Sequence, residues 1–241
     1  MADYSYPDRH LLITCEHAAN LVPFSIRHLF AGQEQALASH QAYDPWALTL
    51  ATGLARCFHA PLYYSTVSRL VVDCNRSPSH CRLFSPLTRS LTEPERHKLL
   101  AHFYFPYHAA VRRCVALAAA GGTQVIHVAV HTFTPQLHGR PRNADIGLLY
   151  DPARSEERTF CRIWRETLLG LDTSLRVRRN YPYQGRADGL TSMLRRIYRQ
   201  VEYLGLELEV SQGTIGSRNI PGLHRLIRAS LELTLNSRQL V

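Results

Sequence analysis

The chain has 241 residues, 45% of them hydrophobic and 20% charged, the balance of a folded globular protein, which excludes a disordered one. Its 28 Lys+Arg against 19 Asp+Glu give a net charge of +9. Lys98 is the single lysine, and the arginines run from Arg9 to Arg238 without gathering into a tail or stripe. That dispersion argues against a nucleic-acid face, which needs clustered cations interleaved with aromatics; an acidic substrate also suits the charge. No apolar run approaches the ~20 residues of a membrane-spanning helix, and Met1–Pro7 lacks the basic-then-apolar order of a signal peptide. The six cysteines form no CxxC pair, so reduced thiols in a cytoplasmic protein without nucleic-acid or membrane partners are expected.

In chain order, short runs rich in β-branched residues predict strands over 11–15, 62–66, 70–73, 124–131, 145–150, 175–178 and 204–211. Helical patterns fall over 45–57, 93–119, 155–169, 190–201 and 220–235. The 11–15 and 125–130 runs are apolar at successive positions, as in central strands covered on both faces. Strands interleaved with helices predict a three-layer α/β/α sandwich around a mostly parallel sheet, with residues 1–241 forming one domain. The segments 85–92 and 132–143 read as the long polar connections, where function often resides.

Ligands of open α/β sheets bind beyond the carboxyl ends of the strands, so the residues following each strand come first. His17 follows the first predicted strand, Asp73-Cys74-Asn75-Arg76 the third, His131 closes the fourth, and Glu209 lies in the last. Neutral imidazole is a common zinc ligand, and a catalytic site takes three protein ligands plus water. Any one of the 13 histidines can equally be a satisfied core or surface residue. Asp44 before Pro45 reads locally as a helix N-cap with proline at the first helical position, yet it can also supply the third ligand, as can Glu16 or Asn20. Glu207 and Glu209, two apart in a strand, face the same side; one can serve as general base or pair with an arginine. Arg69 and Arg76 suit an anionic substrate, since a guanidinium stays charged and holds carboxylates bidentately.

These residues lie in segments that resemble the N-formylglutamate amidohydrolase family. The segments are Cys15-Glu16-His17-Ala18-Ala19-Asn20, Asp44, Ser68-Arg69-Leu70-Val71-Val72-Asp73-Cys74-Asn75-Arg76, His131-Thr132-Phe133, Asp145-Ile146-Gly147, Asn180-Tyr181-Pro182-Tyr183 and Leu206-Glu207-Leu208-Glu209. They span nearly the whole chain in order, and the Ser68–Arg76 run is the most specific. The resemblance implies a phosphorylase/hydrolase-like fold shared with zinc carboxypeptidases. It also implies a metal-dependent amidohydrolase cleaving the C–N bond of a small anionic N-acyl amino acid such as N-formylglutamate. The Asp-x-Asn-Arg stretch is similar to that of aspartoacylases, which implies that Asn75 and Arg76 hold the substrate carboxylate and Arg69 polarises the scissile carbonyl. The order of site residues is similar to that of zinc N-acetylmuramoyl-alanine amidases. That implies His17, Asp44 and His131 as ligands of one divalent ion, zinc as in those amidases, with Glu209 as base. Arg140, Arg142 and Tyr183 are expected to contact the rest of the substrate. His17 is followed by Ala18-Ala19-Asn20 rather than the His-x-x-Glu of carboxypeptidases, and Ala187–Ser192 departs from the family pattern in a substrate-facing loop. A peptidoglycan- or peptide-type zinc amidase is the alternative within hydrolases, and a non-catalytic basic binding protein the alternative outside them.

Overall fold

The computed structural model describes residues 9–237 together with Leu240; Met1–Pro7 and Arg238 lie outside the described residues. Strand β1 (Arg9–Cys15) is followed by a 3₁₀ segment (Phe24–Phe30), the short helix α1 (Glu34–Leu37), α2 (Ala47–Phe58) and β2 (Leu62–Tyr64). Next come α3 (Pro86–Arg89), α4 (Glu93–Leu99), a π-helical turn (Leu100–Tyr104), α5 (Phe105–Ala120) and β3 (Gln124–Phe133). A small hairpin of β4 (Gln136–Leu137) and β5 (Arg140–Pro141) leads to β6 (Ile146–Leu149), α6 (Ser155–Leu171) and β7 (Val177–Arg179). The chain closes with α7 (Leu190–Arg195), β8 (Tyr203–Ser211), α8 (Gln212–Arg218) and α9 (Ile220–Leu235).

The six-stranded sheet has the order β2-β1-β3-β8-β6-β7. The first four strands are parallel, β6 runs antiparallel to β8, and β7 is parallel to β6. Helices cover both faces, giving the expected α/β/α layering around a mostly parallel sheet. On one face the middle positions are apolar: Leu11, Ile13 and Cys15 of β1, Ile126, Val128 and Val130 of β3, and Leu204, Leu206, Leu208 and Val210 of β8. Against them pack α2, α6 and α9, each with apolar residues at helical spacing, such as Leu223, Ile227, Leu231 and Leu235 of α9. Each such side chain, fully buried, contributes roughly 1.5–3 kcal/mol. Trp164 of α6 donates its indole N–H to Ser230 Oγ of α9 at 2.9 Å, so the one polar atom of a large buried ring is satisfied.

The other face begins apolar, with Leu12, Val125 and Tyr203 packed under α5, and turns polar toward the carboxyl ends. The doubly apolar reading of β1 and β3 therefore holds for burial and fails for chemistry on this face. Thr14 Oγ1 and His127 Nε2 lie 2.7 Å apart, and His127 Nδ1 lies 2.6 Å from Tyr203 Oη, a hydrogen-bonded rung across three strands.

The predicted strand over 70–73 is a buried loop. Val71 and Val72 are in the core, but Val71 N–H donates to Ser68 O, Leu70 N–H to Ser68 Oγ, and Ser68 Oγ–H to Ala42 O. A serine that offers local backbone partners competes with strand pairing. The helix predicted over 190–201 stops at Arg195, and Glu202 Oε2 accepts from Arg199 N–H in the turn beyond. The 93–119 prediction is one continuous helical run, but it contains the π-helical turn, where Phe105 N–H donates to Leu100 O. Pro106 follows at once; its missing N–H and its ring would clash with a regular α-turn, and the wider turn accommodates it. Asp44 does not cap α2: the residue before that helix is Trp46, at φ 66°. That left-handed conformation, unusual for a bulky residue, reverses the chain and leaves the Asp44 side chain to face elsewhere.

Candidate active site

The polar half of the α5-side face opens into a cavity of about 330 Å³ beyond the carboxyl ends of β1, β3 and β8. Its wall includes His17, Asp44, Arg69, Asn75, Arg76, His131, Tyr183 and Glu209, residues scattered through most of the chain. A larger hollow of about 560 Å³ includes Arg9, Gln124, Glu156 and Phe160 at the opposite ends of the strands. There Gln124 Nε2 is already spent on Glu156 and on Gln200 O.

His17, Asp44 and His131 are buried, and one donor atom from each lies within 4.8 Å of the others. Nδ1 of His131 is 2.9 Å and Nδ1 of His17 is 3.4 Å from the same oxygen, Asp44 Oδ2. Their outer nitrogens face carboxylates: His17 Nε2 lies 2.8 Å from Asp73 Oδ1, and His131 Nε2 lies 3.0 Å from Glu16 Oε2. Tyr107 of α5 donates its hydroxyl to the other oxygen of Glu16 at 2.8 Å. Histidines whose inner nitrogens converge on one carboxylate oxygen, and whose outer nitrogens are oriented by further carboxylates, match the usual supporting arrangement of a metal site. The donors therefore fit a divalent ion with nitrogen and oxygen preference. Glu16 stands behind His131, and Asn20 donates outward to Leu37 O, so neither shares the inner cluster with Asp44.

Charge reinforces this fit. Burial alone would raise the carboxyls of Asp44 and Asp73, but the neighbouring histidines and Arg69 hold both well below the usual range. Glu16 is likewise lowered to about 2, its burial outweighed by the bond and charge of His131. His131, against the effect of its own burial, is pushed well above its ordinary value by Asp44 and Glu16. Three buried carboxylates around two imidazoles thus form a pocket that favours added positive charge.

Arg69 reaches Asp44 Oδ1 at 3.2 Å and Asp73 Oδ2 at 3.8 Å, so it borders the cluster. Arg76 donates to Asp188 O at 2.9 Å, and Asn75 Oδ1 accepts from Leu190 N–H at 2.8 Å. From the opposite side of the 73–76 loop, Tyr104 donates to Arg76 O and His108 Nε2 lies 3.0 Å from Cys74 O. The π-helical turn thus places Tyr104, Tyr107 and His108 behind the site. Glu209 is 4% exposed, and its Oε2 is buried without a hydrogen-bond partner. Burial, joined by the charges of Asp44 and Glu207 and opposed by His131, raises its carboxyl to about 7. Gly147 pairs across from Glu209; a Cβ there would fall 2.0 Å from Tyr181 O, so only glycine lets the Tyr181–Tyr183 loop close over the base of the cavity.

Arg140 and Arg142 are not among the cavity residues. Arg140 is exposed on the β4–β5 hairpin, whereas Arg142 donates to Tyr183 Oη at 3.1 Å and lies over its ring, holding a residue that does face the cavity. Sequence reasoning missed the supporting roles of Asp73, Glu16 and Tyr107, and it missed Arg82, Gln184 and Asp188 on the wall. Asp73 lay inside the Ser68–Arg76 segment and Glu16 beside His17, which was the available signal; nothing local marks Tyr107.

The model of a family described as N-formylglutamate amidohydrolase matches residues 9–215. The fold is similar to that of a gene product of Agrobacterium tumefaciens, at 33% identity over 92% of this chain and 90% of that one, with a TM-score of 0.73. It is also similar to an N-formylglutamate amidohydrolase from Ralstonia eutropha, at 20% identity over 93% and 90% of the two chains, with a TM-score of 0.66. No curated protein matches the chain in sequence.

Proposed function

The chain belongs to the N-formylglutamate amidohydrolase family and is a hydrolase of amide C–N bonds, and we propose that it is metal-dependent and acts on a small N-acyl amino acid. The observation that carries this reading is the convergence of His17, His131 and Asp44 beside a buried carboxylate oxygen of Glu209 that has no partner. His17 Nδ1, His131 Nδ1 and Asp44 Oδ2 would hold the ion, zinc being the best match to two imidazoles and a carboxylate. When bound, the ion supplies hydroxide at neutral pH and a Lewis acid for the scissile carbonyl.

The protein's own groups do the rest. Glu209 takes the proton of the attacking water and returns it to the leaving nitrogen; a carboxyl raised toward neutrality can do both. Arg69, fixed by Asp44 and Asp73, offers its guanidinium to the oxyanion, a kind of contact whose loss costs roughly 10²–10³ in rate. Arg76 and the Asn75 amide hold the amino-acid carboxylate, and Tyr183, braced by Arg142, closes the outer wall.

Metal content of the purified protein by mass spectrometry, alongside His17→Ala and Asp44→Ala and an assay of formyl- and acetyl-amino acids, tests the reading. About one ion per chain, lost in both variants together with amine release, is the expected result. Full turnover in a metal-free protein would overturn it.

A further inference from the structure

Glu207 has no part in the reaction just described, yet it shares the cavity wall with Glu209. It lies two residues earlier on the same face of β8, opposite Ala129 and Leu149, and so ~6.6 Å further back along the strand. Its Oε1 accepts from Thr191 Oγ1 at 2.8 Å, and its Oε2 accepts nothing from the described residues. Three buried carboxylates of this molecule are met by arginines, Asp44 and Asp73 by Arg69 and Glu157 by Arg195 and Arg154, and Glu16 is met by His131 and Tyr107. Glu207 has no such ion pair among the described residues. Arg195 is near enough to feel its charge, but its nitrogens are committed to Glu157, Gly185 O, Ser192 Oγ and Gly205 O.

One short segment sets the neighbourhood of Glu207. Asp188 O receives Arg76, Leu190 N–H fixes Asn75 Oδ1, and Thr191 fixes Glu207. Consecutive parts of the wall therefore present a guanidinium, an amide donor and a carboxylate with no cationic partner among the described residues. A ligand matching that series carries a carboxylate and, a few bonds away, a group rich in N–H. A half-buried carboxylate held by one hydroxyl and by no cation gains from such a donor, and it repels a second carboxylate.

We propose that Glu207 is a specificity-determining residue that selects N-acyl amino acids with a cationic nitrogen side chain, such as an ammonium or guanidinium, over dicarboxylic ones. The inference rests on the amidohydrolase reading for the identity of the ligand, but binding tests it apart from turnover. Affinity for N-formyl-arginine, N-formyl-lysine, N-formylalanine and N-formylglutamate is measured by calorimetry on the purified protein, and amine release is followed in parallel. The expected result is tighter binding of the two cationic ligands than of N-formylglutamate, with the preference falling about 10- to 100-fold in Glu207→Gln, as for loss of a charged hydrogen bond. Thr191→Val, which frees the carboxylate without removing it, should erode the same ratio less and guards against a folding defect in the first variant. A preference for N-formylglutamate, or a ratio unmoved in both variants, overturns the proposal and points to the exposed Arg82 on the same wall. Retained preference without hydrolysis of any of the four would leave Glu207 its role and remove N-formyl amino acids as the substrate.

Discussion

The two faces of the central sheet use the same three strands for opposite ends. On the α2/α6/α9 side, β1, β3 and β8 present apolar residues through their middles, Leu11 to Cys15, Ile126 to Val130 and Leu204 to Val210. On the α5 side the same strands pass from Leu12 to Thr14 and Glu16, from Val125 to His127 and His131, and from Tyr203 to Glu207 and Glu209. The period of two along a strand makes this separation possible: one set of positions stabilises, and the alternate set is free to carry polar groups. The polar face is tolerated because nearly every buried group on it has a partner, and the unpaired Glu209 oxygen lies where chemistry is proposed.

The sharpest break in that comparison should come from Glu209→Gln. It leaves the apolar face and the His17–Asp44–His131 cluster untouched, and kcat should fall on the order of 10²–10⁴ with metal content retained; unchanged turnover would remove Glu209 as the base. Its mirror image is Leu208→Ala, one residue away but on the other face. Here stability should drop by about 2–5 kcal/mol in thermal or denaturant melts, while metal stoichiometry of the folded protein stays the same.

Acid should act on the polar face first. Burial lowers His127 and His108 to about 4, so between about pH 6.5 and 4 the unfolded chain binds more protons than the folded one. Stability from each histidine is complete above 6.5 and is lost as the pH falls through that window, by up to about 3 kcal/mol for the fully buried His127. His127→Gln, which can keep a bond to Thr14 or Tyr203 without titrating, should flatten the slope of stability against pH over this interval. An identical slope would place the acid sensitivity elsewhere. The smallest effect is expected from Tyr107→Phe, which deletes the donor to Glu16. Chelator competition should show metal affinity weakened about tenfold, the lower end for lost supporting bonds, with turnover at saturating metal changed less.

Much of this could be read from the residues alone. The strands β1, β3, β6 and β8 and the helices α2, α6 and α9 follow from hydrophobic period, and the rule that ligands sit beyond strand ends brought His17, His131 and Glu209 to one edge. What escaped depended on tertiary partners. Val71 and Val72 look like strand residues but serve the core from a loop, because Ser68 supplies local bonds. Asp44 looks like a cap but turns inward, because the backbone reverses at Trp46. Arg142 reads as a contact for substrate, and the structure adds a partner for it in Tyr183, 41 residues further on. In each case the residue type was legible and its partner, distant in sequence, was not.

The pairing of β3 with β8, Val125 with Tyr203 through to Phe133 with Ser211, also bears on how the molecule comes to exist. Until the last quarter of the chain has been synthesised, β3 has β1 along one side and nothing to bond along the other. Non-local parallel pairing of this kind is slow, because loop closure precedes any gain from contact. A nascent chain therefore carries an apolar strand with an open edge, the condition in which misassociation competes with folding. Yield on rapid expression, more than the stability of the finished protein, is where that topology should be felt.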